Sequence, residues 1–367
     1  MTAMAQTRIK VLVVDDSTVI RRIVIEALAA DPLIEVVGFA PNGRKAVEQV
    51  AALEPDAVTM DIEMPEMNGI EAVRIIRRTR PRLPIVMFST LTERGASATL
   101  DALAAGASDY VTKPSNVDSF EQSKRNVREQ LIPKLKALTG THRAALGGAP
   151  RPVPPPAAAG GARRPRGGAF QALVIGCSTG GPDALASVLP ALPADLPVPV
   201  LVVQHMPPLF TRLLAQRLDS HCPLRVSEAA EGDLVVPGQI LIAPGGHHLM
   251  IKRQGTNVVA HLTQDPPENF CRPAVDVLFR SASAVYADRL LAVVLTGMGR
   301  DGEKGSTVIR HSGGEVVVQD EATSVVWGMP GAVAMAGQAD KVLPLPRIGQ
   351  EIAATLARGP TPVGVGS

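Results

Sequence analysis

Cysteine is scarce in this chain of 367 residues: only Cys177, Cys222 and Cys271 occur. Three thiols cannot all pair within one molecule, and none has the C-x-x-C spacing of a metal site. A disulfide scaffold is therefore excluded, and free thiols in a reducing cytoplasm are expected. A charge excess is also lacking. Lys and Arg number 37 against 35 Asp and Glu, and the net +2 is too small to imply nucleic acid. Long apolar runs are missing too, with nothing near the roughly 20 residues of a membrane span. The opening "MTAMAQTRIKVLVVDDS" has too short an apolar run for a secretory signal, and Asp15 and Asp16 break it. The expectation is a cytoplasmic chain with no membrane insertion and no nucleic-acid partner.

What is present is α/β patterning, twice. A single core stops growing at roughly 250–300 residues, so two domains are expected. In the first, apolar runs at "KVLVVDD", "EVVGFA", "DAVTMD", "PIVMFS" and "DYVTKP" alternate with helical patterns. Ser17 is a plausible N-cap, and Ile20, Ile23, Val24, Ala27 and Leu28 then share one helix face. Five βα repeats imply a parallel sheet covered on both faces. Residues 118–138 read as a closing helix. "GGAPRPVPPPAAAGGARRPRGG" has no apolar periodicity and reads as a basic Pro/Gly/Ala-rich tether. From residue 169 a doubly wound α/β pattern returns, with an antiparallel hairpin placed around Gly245–Gly246. The boundaries drawn are 1–134, a linker at 135–168, 169–360, and a tail at 361–367.

Polar residues of the first domain fall at strand ends. Asp15 and Asp16 end the first strand, Asp61 the third, Ser89 and Thr90 the fourth, and Lys113 the fifth. In an open α/β sheet those ends form the ligand crevice. Three carboxylates meeting there would bind Mg2+ through oxygen, a lysine would hold a phosphoryl oxygen, and a hydroxyl would sense its arrival.

In the second domain, "LVIGCSTGGP" fits the G-x-S-x-G nucleophile elbow, with Cys177 directly before Ser178. Pro182 and Asp183 suit the first turn of a helix whose N-terminus would favour an oxyanion. Among seven histidines, only His205 in "VLVVQHMPP" directly ends an apolar strand. Asp301 in "LLAVVLTGMGRDG" supplies an acid on a third strand end. His205 would take the serine proton, and Asp301 would fix the imidazole tautomer. Amides near Thr179 and in the Gly297–Gly299 loop are oxyanion candidates. The order Ser178, His205, Asp301 differs from that of an α/β-hydrolase. Cys177 should turn away from Ser178 into packing. A competing pattern is Gly297-x-Gly299-x-x-Gly302, which matches a dinucleotide fingerprint and would suggest a nicotinamide-binding oxidoreductase. A carboxylate in its tight turn argues against that reading. A catalytically inactive, phosphorylation-switched adaptor is the other alternative.

"VVDDS", "MDIEMPEMNG", "FST" and "DYVTKP" resemble the markers of a response-regulator receiver domain over residues 8 to about 130. The resemblance implies that Asp61 accepts a phosphoryl group from a CheA-type histidine kinase. It also implies Mg2+ held by Asp16, Asp61 and the Glu63 backbone carbonyl, with Asp15 assisting. Ser89 would be the switch hydroxyl, with Thr90 one residue away, Tyr110 the rotating aromatic and Lys113 the lysine. "IGCSTGGP", "QHMPPLFTRLLAQRL", "LTGMGRDG" and "DEATSVVWGMPGAV" resemble the catalytic domain of the CheB family of chemotaxis protein-glutamate methylesterases. That resemblance implies a Ser178–His205–Asp301 triad and an oxyanion hole served by the Met298 amide. Its activity would be hydrolysis of glutamate methyl esters on methyl-accepting chemotaxis receptors, with methanol released, and deamidation of receptor glutamines. It implies that the unphosphorylated receiver restrains the esterase. Cys177 stands where the family usually has alanine, and Cys271 where histidine is expected in many relatives.

Overall fold

The computed structural model describes residues 8–113, 119–140 and 168–357. The chain forms two units, dividing between Arg151 and Pro152, inside the stretch read as a linker. Linker positions 141–167 and the tail at 361–367 lie outside the described residues.

The first unit has strands β1 (Ile9–Val14), β2 (Ile34–Ala40), β3 (Ala57–Asp61), β4 (Ile85–Ser89) and β5 (Asp109–Thr112). Helices α1 (Thr18–Ala29), α2 (Gly43–Leu53), α3 (Gly69–Thr79), α4 (Glu93–Ala104) and α5 (Phe120–Leu138) alternate with them. The strands form one parallel sheet in the order β2-β1-β3-β4-β5. Strands β3 and β4 are buried along their whole length, which explains their largely apolar Val/Ile/Met runs. Ser17 caps α1 by accepting from the Ile20 amide, and Ile23, Val24, Ala27 and Leu28 are the buried face. They pack with Val11, Val13, Phe88 and Leu131. Each large side chain so buried contributes about 1.5–3 kcal/mol. Helix α5 runs four residues past 134, where the domain was drawn to end.

The second unit has seven parallel strands: β6 (Ala172–Cys177), β7 (Val200–Gln204), β8 (Arg225–Glu228), β9 (Gln239–Ile242), β12 (Leu290–Val294), β13 (Glu315–Gln319) and β14 (Lys341–Leu343). Their order is β14-β13-β12-β6-β7-β9-β8. Helices α6 (Gly181–Val188), α7 (Phe210–Asp219), α8 (Val275–Tyr286), α9 (Glu303–His311), α10 (Met329–Met335) and α11 (Leu345–Ala357) connect or flank them. The antiparallel hairpin is β10 (His248–Gln254) with β11 (Asn257–Thr263). Its turn is at Gly255, which corrects the placement around Gly245–Gly246. Those two glycines lead from β9, a strand of the parallel sheet, into the hairpin.

The chain enters this sheet at its centre. It passes to β7, then to the edge strand β8, fills the place between them with β9, and returns to β12 on the other side of β6. The connections therefore diverge at β6, and the crevice of such a sheet opens at the carboxyl ends of the diverging strands. Cys177 pairs with Gln204 and Gly176 with Val294, so the residues that follow all three strands emerge at one edge.

Candidate functional site

Ser178 directly follows β6, and its backbone is tied on both sides. Its amide donates to Thr296 O at 3.0 Å, while its carbonyl accepts from the Gly181 amide at 2.7 Å and from Gln204 Nε2 at 3.0 Å. Gly297 lies so close that a Cβ there would stand 2.9 Å from Ser178 Cβ and 2.3 Å from Met329 Sδ, so no side chain fits. Cys177 is fully buried with its Sγ 3.7 Å from Val203 O, as expected for a thiol turned away from the serine. Burial pushes its ionisation well above the usual thiol range.

His205 directly follows β7, and its Nε2 is 2.8 Å from Asp301 Oδ2. Asp301 is itself held by backbone. Its Oδ2 accepts from the Val275 amide at 2.6 Å. Its Oδ1 accepts from the Asp276 and Gly302 amides, both at 3.0 Å, and from Asn269 Nδ2 at 2.9 Å. Asp301 thus sits on the N-terminus of α8. Asp276, in the first turn of α8, accepts in return from Gly302 at 3.0 Å and Gly305 at 2.6 Å, at the N-terminus of α9. Two helix dipoles each hold the carboxylate supplied by the other segment. The same amides rule out the dinucleotide reading, because the helix start that would cradle a pyrophosphate already carries two carboxylates. Asn269 donates to both acids, reaching Asp276 Oδ2 at 3.0 Å.

These surroundings set the charges. Burial pulls the His205 imidazolium down, but hydrogen bonds to Asp301 and Cys271 and the charge of Asp301 outweigh it and raise the group to about 10. Asp301 is raised by burial, yet His205 and the α8 amides win and hold it below the usual carboxylate range. Asp276 is pushed up to about 6 by burial and by the Asp301 charge, against the Gly305 hydrogen bond.

The other imidazole nitrogen was not foreseen. His205 Nδ1 lies 3.4 Å from Cys271 Sγ. Cys271 is delivered by a tight turn, in which Glu268 N donates to Cys271 O at 3.1 Å and Cys271 N to Glu268 O at 2.9 Å. Both central residues are left-handed, Asn269 at φ 51° and Phe270 at φ 63°, the signature of a type I′ turn. Arg280 clamps the Glu268 carboxylate through both terminal nitrogens. Phe270 projects entirely into solvent. Among the described residues, Ser178 Oγ makes no hydrogen bond to His205. The structure thus brings His205 and Asp301 into contact and places Ser178 on the same edge. Thr179 is buried and Met298 exposed. The Asn269, Asp276 and Cys271 contacts carried no sequence signal, because each is made across the fold to a segment distant in sequence.

In the first unit, Asp15 and Asp61 are buried and Asp16 exposed, each offering an oxygen within 4.8 Å of the others. Lys113 Nζ lies 2.8 Å from Asp61 Oδ2 and 3.1 Å from Asp15 Oδ2. Burial, then the Asp15 charge, raises Asp61 to about 6 despite Lys113. Burial likewise raises Asp15. Three carboxylates facing one ammonium leave negative charge uncompensated, and an all-oxygen donor set fits Mg2+. Gly69 permits this packing, since a Cβ there would stand 2.0 Å from Asp61 O. The Glu63 side chain faces away to pair with Arg94 at 3.1 Å. Ser89 Oγ is buried and turned toward α4, 3.0 Å from Gly95 O, with Thr99 Oγ1 donating to it at 2.5 Å. Tyr110 is buried, its ring 5.2 Å from Lys134 Nζ.

The model of the response regulator receiver domain matches residues 11–124, and that of the CheB methylesterase matches residues 173–352. A protein-glutamate methylesterase/protein-glutamine glutaminase of Nocardioides sp. is 58% identical over 362 residues, spanning 95% of this chain and 96% of its own. Its namesake from Trichodesmium erythraeum is 46% identical, spanning 94% and 98%. The crystal structure of the Thermotoga maritima CheB methylesterase catalytic domain, 45% identical, covers 50% of this chain and 98% of its own length with a TM-score of 0.50. With both matches in sequence along one chain and relatives alike over nearly its whole length, the chain belongs to the CheB methylesterase family and carries a receiver domain ahead of the esterase domain.

Proposed function

We propose that this chain is a phosphorylation-regulated protein-glutamate methylesterase that hydrolyses glutamate methyl esters on methyl-accepting chemotaxis receptors. By the same route it deamidates receptor glutamines. The observation that carries the reading is the 2.8 Å His205–Asp301 contact at the strand edge that Ser178 shares. Ser178 Oγ attacks the ester carbonyl carbon while His205 takes its proton. With Nε2 engaged by Asp301, the accepting nitrogen is Nδ1. Asp301 stabilises the imidazolium so formed. The proton then passes to the leaving methoxide, and water hydrolyses the acyl-serine by the reverse path. Met298 and Thr179 backbone amides are the candidate oxyanion donors, and one such donor is worth about 2.7–4 kcal/mol.

Control lies in the first unit. Asp61 accepts the phosphoryl group from a CheA-type histidine kinase. Asp15, Asp16, Asp61 and the Glu63 carbonyl would hold Mg2+, which when bound offsets the negative charge crowded around the phosphoryl oxygens. Lys113 pairs with the phosphoryl group, and Ser89 and Tyr110 change partners in response, which shifts a population rather than adding a catalytic group. The chain works in the cytoplasm, and among the described residues no helix is long and apolar enough to cross a membrane.

The test is methanol release from methylated receptor membranes, with a small-molecule phosphodonor and Mg2+ present. Wild type releases methanol and Ser178→Ala does not. Equal release by both would refute the serine mechanism.

A further inference from the structure

A Ser-His-Asp triad needs one imidazole nitrogen for the acid and one for the serine. Here Asp301 takes Nε2, so Nδ1 must serve Ser178. Yet the group at Nδ1 in this structure is the Cys271 thiol, at 3.4 Å, and Ser178 Oγ is not bonded to the ring. The thiol has not drifted there. Glu268 is fixed by Arg280, Asn269 by Asp276 and Asp301, and the turn closes on paired backbone bonds between Glu268 and Cys271. Nor is Cys271 needed to choose the tautomer. In the neutral ring, Nε2–H donating to the Asp301 carboxylate already leaves Nδ1 as the lone-pair nitrogen. A thiol is a donor to that lone pair, and so is a serine hydroxyl.

We propose that Cys271 is a positioning residue that competes with Ser178 for His205 Nδ1, so that the imidazole must release the thiol before it can take the serine proton. The inference rests on the reading of Ser178, His205 and Asp301 as the esterase site. In the neutral imidazole, the form that acts as base, S–H donates to Nδ1. On release, the Nδ1 lone pair accepts the Ser178 proton as Oγ bonds to the ester carbon, and Nε2–H stays with Asp301. No oxidant is involved and no thioester forms.

The experiment compares full-length wild type with Cys271→Ala, Cys271→Ser and Ser178→Ala. Methanol release is measured with phosphodonor, and the 15N signal of His205 Nδ1 is followed in histidine-labelled protein. Removing one weak ground-state hydrogen bond should raise kcat roughly two- to tenfold in Cys271→Ala with KM unchanged. Cys271→Ser, which keeps a donor, should fall between. The Nδ1 signal should move in Cys271→Ala, whether or not the protein is active. A kcat in Cys271→Ala equal to or below wild type, or an unmoved Nδ1 signal, overturns the proposal. Methanol release that survives Ser178→Ala and vanishes in Cys271→Ala makes the thiol the nucleophile and overturns both readings. Loss of release in Ser178→Ala alone leaves the esterase reading intact, whatever Cys271 does.

Discussion

Replacing Asp301 by asparagine should separate catalysis from folding. The amide keeps the shape of the carboxylate but exchanges one acceptor for a donor. Two orientations are available. If the amide oxygen takes the place of Oδ1, it still accepts from Asn269 Nδ2 and from the Asp276 and Gly302 amides. The NH2 group then faces the Val275 amide and His205 Nε2. In the other orientation NH2 faces three donors instead of one, so the first prevails. One buried backbone donor, that of Val275, loses its partner, at about 1–3 kcal/mol. In a unit of this size the cost corresponds to a fall in melting temperature of roughly 2–10 °C. The effect on catalysis is far larger. An NH2 group donating to Nε2 forces the proton onto Nδ1, where Ser178 needs a lone pair. A wrong tautomer in a serine triad costs about 10⁴ in kcat. Methanol release and thermal unfolding, measured on the same preparation, test this directly. A folded Asp301→Asn protein within tenfold of wild-type activity would refute the assignment of the imidazole nitrogens.

Two further outcomes follow from the charges. Because His205 is raised above its ordinary 6.5 toward about 10, its neutral form is scarce near neutrality, and methanol release should keep climbing as pH rises above 6.5. The same shift makes the His205–Asp301 pair most stabilising below 6.5 and progressively less so as pH climbs through the raised value, readable as a falling unfolding midpoint. A rate that levels near 6.5 would contradict the geometry. Asp61 follows the same sign in a lower window: its carboxyl is raised to about 6, so ionising it costs stability, which is full below its ordinary 3.8 and declines as pH rises through 6. Asp61→Asn should therefore raise the unfolding midpoint of the first unit at pH 7 and abolish its response to added Mg2+. An unchanged midpoint, or a retained Mg2+ response, would count against the cluster as the cation site.

The sequence made the strand ends legible because each chemical group follows an apolar run that only a doubly covered parallel strand explains. Asp61, Lys113, Ser178 and His205 all stand at such ends. Edge strands β8 and β14 leave no mark in the sequence because four and three residues carry no period. The hairpin was misplaced because Gly245–Gly246 looks like a turn in one dimension, while the pairing register closes at Gly255. Contacts made across the fold, such as Asn269 between two carboxylates or Cys271 on the imidazole, have no local signature.

The exchange of carboxylates between α8 and α9 bears on how sequences of this kind should be read. Asp301 and Asp276 each complete a helix start belonging to the other's segment, so selection for a folded chain retains both even where no ester is ever cleaved. Ser178 Oγ carries no such structural duty. In a descendant drifting away from catalysis, the serine should disappear first and the aspartate last. An intact aspartate at this position therefore testifies to the fold, and only the serine testifies to the activity.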